Sequence, residues 1–399
     1  MGMRRFCLFA FCVSFAAAAD CSPQNATMKT CGGPLVQAHR VGCGEYDDNA
    51  AGGLRWCLAN GVRGLEFDVR FTKDRHLVIM HDNLIDRTTD GSGWAEDLTL
   101  AELRRFRLDM SGEPVPTLDE MLAQLRGRKD FFAEIEMKVV PCPRYPREVI
   151  AEYCGRLNEA VKAALDPGTY TFTSFDIRTL RIMRATVPDA PLGYIIVEKM
   201  TEKHLEDAKA LNCCCVAPME ATKEMIARAH DEGLSVCLWM CCCFEDYARF
   251  KDLGADRITT DYPVLLTRVI SGRRKKVVAL SSGIMDKLHS PDISERNMTA
   301  LKKLASMYAC VVAGPEAAVG DLRGWAGGLG FDLAPVGKDA YVAVMEWARQ
   351  HGCEADDVVF VGDNFIDGSV GGAMRKKGVD CLLIPNHKRL WYNVRILTN

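Results

Sequence analysis

The chain has 399 residues, of which 48% are hydrophobic and 26% charged, with a formal net charge of -3. That length is long for one domain and comfortable for two, and the composition is that of a folded globular protein rather than a disordered chain. So small a net charge gives no reason to expect nucleic acid as a partner, and any anion site has to be local.

Arg4 and Arg5 precede an apolar stretch from Phe6 to Phe15 and then Ala16 to Ala19. A basic start, an apolar run and an Ala-x-Ala end predict a signal peptide over residues 1–19 and a mature chain exported to the periplasm or secreted. The run is too short to span a bilayer comfortably, and no other segment is apolar enough, so the mature chain is expected to carry no transmembrane segment. Eighteen cysteines suit an exported protein, although Cys7 and Cys12 leave with the leader. Cys213 to Cys215 and Cys241 to Cys243 read as small apolar fillers of two strands, since no Cys-x-x-Cys spacing accompanies them. Asn25-Ala26-Thr27 and Asn297-Met298-Thr299 match the glycosylation pattern, a match short enough to arise by chance.

From about residue 34 to 265, strand-like runs alternate with helical stretches. The strands are expected to begin at Leu35, Gly64, Leu77, Phe131, Tyr170, Leu192, Cys214 and Ser235, and residues 254–261 read as the final turn. Alternation of this kind implies parallel strands, and eight of them over residues 30–270 suit a closed TIM (β/α)8 barrel. An open doubly wound sheet is the alternative, but it would carry its ligand at one crevice. Here polar residues close strand after strand around the set. Residues 83–117 form a longer insert expected to hang over the barrel mouth. A basic linker, Gly272 to Lys276, precedes a second, smaller α/β unit over residues 277–399, with strands at 277–280, 358–361 and 381–385.

The chemistry concentrates at three of these strand ends. Glu66 and Asp68 share a strand face, as do Glu134, Glu136 and Lys138. Glu66, Asp68 and Glu136 form an oxygen-only set suited to one hard divalent cation, Mg²⁺ or Ca²⁺. His39 and His81 are then free for proton transfer, and Arg40 and Lys138 can neutralise a phosphate. The assembly reads as metal-assisted phosphoryl transfer. A zinc site built on the two histidines competes with this reading, and it leaves the two neighbouring cations without a purpose.

These residues stand in an ordered set of motifs that resembles the glycerophosphodiester phosphodiesterases. The matching segments are His39-Arg40, Glu66-Phe67-Asp68-Val69-Arg70-Phe71-Thr72-Lys73-Asp74, His81-Asp82 followed by Arg87-Thr88-Thr89, Glu136-Met137-Lys138 and Thr260-Asp261-Tyr262-Pro263. The resemblance implies a TIM barrel, one divalent metal, and hydrolysis of a small-molecule glycerophosphodiester to glycerol 3-phosphate and an alcohol. It makes His39 and His81 the acid/base pair and Glu66, Asp68 and Glu136 the metal ligands. Arg40 and Lys138 would bind phosphate, and Trp239 would pack by the glycerol end. By the same motif Glu136, and not Glu134, precedes the lysine by two residues, which leaves Glu134 a supporting role. A neighbouring glycerol hydroxyl attacking first, to give a cyclic phosphate, is a route proposed for similar enzymes. Two positions depart from the pattern. Val41 replaces the glycine after His-Arg, and Asp48-Asn49-Ala50 replaces Glu-Asn-Thr, so the geometry near the metal is expected to differ. Two other readings stay open: a related phosphodiesterase acting on lysophospholipid or sphingolipid head groups, and a ligand-binding protein without turnover.

The C-terminal unit resembles, more weakly, the Rossmann-like haloacid dehalogenase-like phosphatases. Gly337-Lys338 and Gly362-Asp363 followed by Asp367 match, but Ser281-Ser282-Gly283 stands where a nucleophilic Asp-x-Asp is expected, and Gly314 stands where a Ser or Thr is usual. Without that carboxylate no aspartyl-phosphate can form. The expectation is a degenerate domain kept for packing or for a partner of unknown identity, with a residual metal or ligand site at Asp363 and Asp367 as the other reading.

Overall fold

The computed structural model describes residues 33–273, 275–289, 293–336, 339–363, 368–384, 390 and 394–398. The predicted signal peptide, the Asn25 motif, Lys338 and Asp367 lie outside the described residues, as does the side chain of Asp363.

Nine strands build the first sheet: β1 (Leu35–Ala38), β2 (Gly64–Phe71), β3 (Leu77–Ile79), β4 (Phe132–Met137), β5 (Tyr170–Ser174), β6 (Leu192–Lys199), β7 (Cys215–Glu220), β8 (Ser235–Leu238) and β9 (Arg257–Thr260). Eight of them run parallel, with β1 bonded to β2 on one side and to β9 on the other, so the sheet closes into a TIM barrel. The ninth is β3, and it corrects the expectation that the run at Leu77 is a barrel strand. It pairs antiparallel with β2, Val69 opposite Ile79 and Phe71 opposite Leu77. The connection explains why. Residues 72–76 form a tight turn, with Arg75 at φ 64 and the Thr72 amide donating to the His76 carbonyl at 2.9 Å. A parallel crossover needs a dozen residues or more, and a hairpin is all this segment can make. The eighth barrel strand is instead β9, inside the segment read as a turn. Its four residues are buried, but Arg-Ile-Thr-Thr carries no apolar run to reveal a strand.

Every residue of β2 and β4 is buried. Where β2 begins, Gly64 lets the chain pass close to β1: a Cβ there would stand 2.5 Å from the Val36 carbonyl oxygen. Below the mouth the interior is polar. The fully buried Arg257 guanidinium lies 3.5 Å from Glu134 Oε2 and over the Phe132 ring, and Gln37 Nε2 donates to the same carboxylate oxygen at 3.1 Å. A buried charge is tolerated when it is paired in this way. Glu134 is thus tied into a buried network, and it also lines the cavity at the barrel's end.

The second sheet has five parallel strands, β10 (Val277–Ser281), β11 (Ala309–Pro315), β12 (Asp332–Val336), β13 (Val358–Asp363) and β14 (Asp380–Ile384), in the order β12-β11-β10-β13-β14. Its first strand is central, and the chain winds outward to either side of it. Gly314 in β11 is required by its neighbour, since a Cβ there would sit 1.9 Å from the Ser282 hydroxyl oxygen. One apolar core contains residues of both units, among them Leu265 and Leu266 of the barrel and Leu280 and Leu382 of the second sheet. At the seam Asp380 accepts from Arg268 at 2.6 Å and from Lys275 at 2.7 Å.

Cys241, Cys242 and Cys243 are buried free thiols, and Cys214 is disulfide-bonded. Among the described residues neither cysteine run contributes to a three-ligand metal group. Asn297 is buried inside a helix, so its glycosylation motif offers no accessible acceptor. No helix among the described residues is long and apolar enough to cross a membrane.

Candidate active site

Strand register assembles the carboxylates. Parallel pairing of β2 with β4 sets Asp68 opposite Glu136 and Glu66 opposite Glu134. Glu66 and Asp68 share a face by the two-residue period of a strand. Ligand oxygens of Glu66, Asp68 and Glu136 lie within 4.8 Å of one another, and all three residues are buried. Lys138 Nζ stands 2.6 Å from Glu136 Oε1 and 3.2 Å from Asp68 Oδ1. Arg40 Nε lies 3.8 Å from Asp68 Oδ2, so two cations face three buried carboxyls. Burial, with Asp68 and Glu136 alongside, pushes Glu66 well above the ordinary carboxylate range. Burial likewise pushes Glu136 up to about 8, against the pull of Lys138. Asp68 is also buried, but Lys138, His81 and Arg40 together hold it below the ordinary range. Glu66 Oε1 has no hydrogen-bond partner. Three crowded buried carboxyls, two of them resisting ionisation until a cation is present, and an unpartnered Glu66 oxygen fit a hard divalent cation.

The turn after β1 supplies the next layer. Arg40 and Val41 both take left-handed backbone, at φ 46 and φ 54. That conformation is costly for a β-branched residue, roughly 1–3 kcal/mol, and Val41 is fully buried where it occurs. The turn points the Arg40 amide at Glu66 Oε2, at 2.7 Å. The Arg40 side chain donates to Asp48 at 2.9 Å, and Arg87 reaches the same oxygen at 2.8 Å. Asp48, one of the two departures, thus ties two arginines together and is outside the metal group. Its neighbour Asn49 donates to Asp68 Oδ2 at 2.8 Å and accepts from the Asp68 amide at 3.1 Å, which orients that carboxylate.

Both histidines are tied at Nδ1 to a carboxylate. His39 Nδ1 lies 2.6 Å from Asp261, just past the end of β9, and His81 Nδ1 lies 2.5 Å from its neighbour Asp82, which Arg87 also contacts. An Nδ1–H donated to carboxylate fixes the tautomer and leaves Nε2 as the working nitrogen. Burial holds His81 below the ordinary histidine value, while Asp82 and Asp68 pull the other way. Arg70 of β2 supports the far side. Its guanidinium donates to the His81 carbonyl at 2.6 Å and the Lys138 carbonyl at 3.2 Å, and it pairs with Glu96 at 2.6 Å.

His39, Arg40, Glu66 and His81 line a cavity of about 260 Å³, closed on the other side by Trp239 and Phe175. Trp239 donates its indole N–H to the Ala217 carbonyl at 2.8 Å and meets Phe175 edge-to-face at 5.8 Å. Lys138 and His81 also line an adjoining cleft of about 530 Å³ whose far wall is Leu84, Arg87 and Trp94 of the insert. His39, Arg40, Glu66, Asp68, His81, Glu136, Lys138 and Trp239, given roles from the sequence, are therefore gathered at one end of the barrel. Sequence reasoning passed over Asp261, Asp82, Asn49 and Arg70. All four stood inside segments compared with the family, Asn49 as the matching member of Asp48-Asn49-Ala50 and Arg70 at an unspecified position of the Glu66–Asp74 motif, but nothing in the sequence gave their partners.

Residues 39–265 match the Glycerophosphoryl diester phosphodiesterase family. A glycerophosphodiester phosphodiesterase of Caldanaerobacter subterraneus subsp. tengcongensis is 29% identical over 247 residues, which are 59% of this chain and 97% of that one. Glycerophosphodiester phosphodiesterase 1 of Bos taurus is 40% identical over 139 residues, 33% of this chain and 42% of that one. Among solved structures, a putative glycerophosphoryl diester phosphodiesterase from Silicibacter pomeroyi matches with TM-score 0.55 and 26% identity, over 63% of this chain and 98% of that one. A phosphodiesterase from Oleispira antarctica, solved with the product sn-glycerol-3-phosphate, shares the fold with TM-score 0.53 and 24% identity over 61% of this chain and 97% of that one.

Proposed function

This chain belongs to the glycerophosphoryl diester phosphodiesterase family and is a phosphodiesterase, and from that premise we propose that it hydrolyses a glycerophosphodiester to glycerol 3-phosphate and an alcohol with His39 and His81 as the acid/base pair. The observation that carries the reading is that both imidazoles, each with Nδ1 tied to a carboxylate, border one cavity with Arg40 and Glu66. Arg40 and Lys138 bind the phosphate oxygens and hold the phosphorus between the two Nε2 atoms. One imidazole takes the proton of the attacking hydroxyl, and the other gives a proton to the departing alcohol oxygen. Glu66, Asp68 and Glu136 would hold one Mg²⁺ or Ca²⁺, which when bound supplies Lewis-acid stabilisation of the phosphate charge. Trp239 and Phe175 give the glycerol end an apolar wall.

The test is release of glycerol 3-phosphate from glycerophosphocholine with Mg²⁺ or Ca²⁺, with and without chelator. Turnover should need the metal, and His39→Ala or His81→Ala should abolish it in folded protein. Full activity in either variant would overturn the role assignment.

One observation favours a second reading, in which the substrate is a lysophospholipid, whose glycerol carries an acyl chain and whose head group is the alcohol released. Leu84, Trp94, Val140, Phe175, Val197, Met219 and Phe244 are exposed large hydrophobics, each at or just after the C-terminal end of a first-sheet strand or in the insert at the mouth. An apolar rim suits an acyl chain. Comparing kcat/KM for lysophosphatidylcholine and glycerophosphocholine separates the two readings.

The second unit is proposed to be a degenerate haloacid dehalogenase-like domain over residues 277–399, following a barrel over residues 30–270. Its central β10 ends in Ser281, which caps the next helix through the Ile284 amide at 3.1 Å, in place of a nucleophilic carboxylate. Export after cleavage of residues 1–19 is proposed from the leader pattern. A mature N-terminus at Asp20 in the exported fraction would support it, and an intact Met1 would refute it.

A further inference from the structure

We propose that His39, Cys43 and Asp261 form a second metal site, suited to a thiophilic divalent cation such as Zn²⁺, whose occupation switches His39 off. The three donors already converge. His39 Nδ1 and Asp261 Oδ1 are 2.6 Å apart, Cys43 Sγ is 3.1 Å from the same oxygen, and Cys43 Sγ is 3.5 Å from the ring nitrogen. The turn after β1 creates this meeting. The Cys43 amide donates to the His39 carbonyl at 3.1 Å, which folds residue 43 back beside residue 39, while closure of β9 onto β1 delivers Asp261.

Zinc bonds of about 2.0 Å to nitrogen and oxygen and about 2.3 Å to sulfur, in a tetrahedron, put the donors roughly 3.3–3.6 Å apart. The sulfur–nitrogen distance already lies in that range, and the other two need to open by less than about 1 Å. The donor set is nitrogen, sulfur and oxygen, and it differs in kind from the all-oxygen group of Glu66, Asp68 and Glu136. Softness should therefore sort the cations, Mg²⁺ or Ca²⁺ to the carboxylates and Zn²⁺ to the thiolate. Charge also closes. The thiol proton leaves for solvent, and the thiolate with the Asp261 carboxylate balances the two positive charges of zinc. Arg40 opposes binding, but Asp48 gives it a counter-charge, shared with Arg87.

The consequence follows from the tautomer. With Nδ1–H donated to Asp261, His39 keeps a lone pair on Nε2. With metal on Nδ1, the ring proton moves to Nε2, and the nitrogen facing the cavity can no longer accept one. No net proton is gained or lost by the imidazole.

Co²⁺ is the spectroscopic probe. Added to the full chain in saturating Mg²⁺ or Ca²⁺, it should give a thiolate-to-cobalt charge-transfer band that Cys43→Ser loses. Zn²⁺ should inhibit turnover under the same conditions, and Cys43→Ser, scaled to its own uninhibited rate, should need at least about 10-fold more zinc. A band indifferent to Cys43→Ser, or equal zinc sensitivity in the two proteins, would overturn the site. A band without inhibition would overturn the switch, which rests on the proposed role of His39. It would count against that role as well only if His39→Ala also kept its turnover.

Discussion

Two carboxylates, Asp82 and Asp261, decide which nitrogen each histidine offers. Replacing Asp261 with asparagine keeps the shape and removes the charge that fixes the tautomer of His39. The expected result is a loss in kcat on the order of 10²–10⁴, with KM little changed, since general acid–base catalysis contributes about that much. Steady-state kinetics on glycerophosphocholine would show it, and a loss confined to KM would contradict it. The raised carboxyls make a second prediction. Glu66 and Glu136 must give up protons for a cation to bind, so metal binding releases protons and strengthens as pH rises. A carboxyl whose folded value lies near 8 keeps its proton where the unfolded chain has lost it. The metal-free protein therefore loses stability as pH climbs from the ordinary carboxyl range toward 8. Asp68, held low, acts oppositely, and its contribution is lost only on acidification. The gain in melting temperature from saturating Mg²⁺ or Ca²⁺ should be larger at about pH 8 than at about pH 6, and equal gains would sink the ligand assignment. Glu66, Asp68 and Glu136 were legible in the sequence because a strand's two-residue period puts ligands on one face. Asn49 was not, since it lies on a loop with no period and only the fold sets it beside Asp68.

At the scale of elements, β2 carries more of the site than any other strand. Its inward face holds two of the three carboxylates, and its Arg70 fastens the chain ends that follow β3 and β4. Arg70→Met should cost about 3–5 kcal/mol, as breaking a buried ion pair does, because Glu96 is left buried and charged and two carbonyls lose their donor. Denaturant unfolding would measure this, and a cost below about 1 kcal/mol would show the clamp to be slack. Turnover should fall with it, since His81 and Lys138 hang on those carbonyls. The alternation of strands and helices made the barrel readable, yet the strand count came out at eight with one member wrong. An apolar run such as Leu77-Val78-Ile79 looks the same in a hairpin and in a barrel, and only the length of the connection tells them apart. The reverse holds for β9, where a barrel strand of Arg, Ile and two Thr hides among polar residues because Glu134 pairs with Arg257 across the interior and Gln37, on the adjoining β1, donates to Thr259.

Across the whole molecule, the barrel and the second sheet share an apolar core, and Asp380 fixes the seam by taking up Arg268 and Lys275 together. Removing that carboxylate takes the buried ion-pair partner of Lys275, itself almost wholly buried, and leaves the exposed Asp356 to serve both cations. Asp380→Ala should cost about 3–5 kcal/mol, and the native protein should unfold in a single calorimetric transition, as expected of units that share a core. Two separated transitions in the native chain would mean that the seam couples them weakly. Sequence alone placed a boundary near the basic linker but not this dependence, because Lys275 reads as part of a solvated basic run and its partner lies a hundred residues downstream. The pairing of His39 with Asp261 has a consequence for synthesis. The two residues stand 222 positions apart, one at the first barrel strand and the other beyond the last. A chain emerging from the ribosome shows its first histidine early, but that histidine has no orienting carboxylate until the barrel closes. Fragments that carry β2 and β4 but end before Asp261 should therefore be silent, so the appearance of turnover should mark the moment at which the ring is complete.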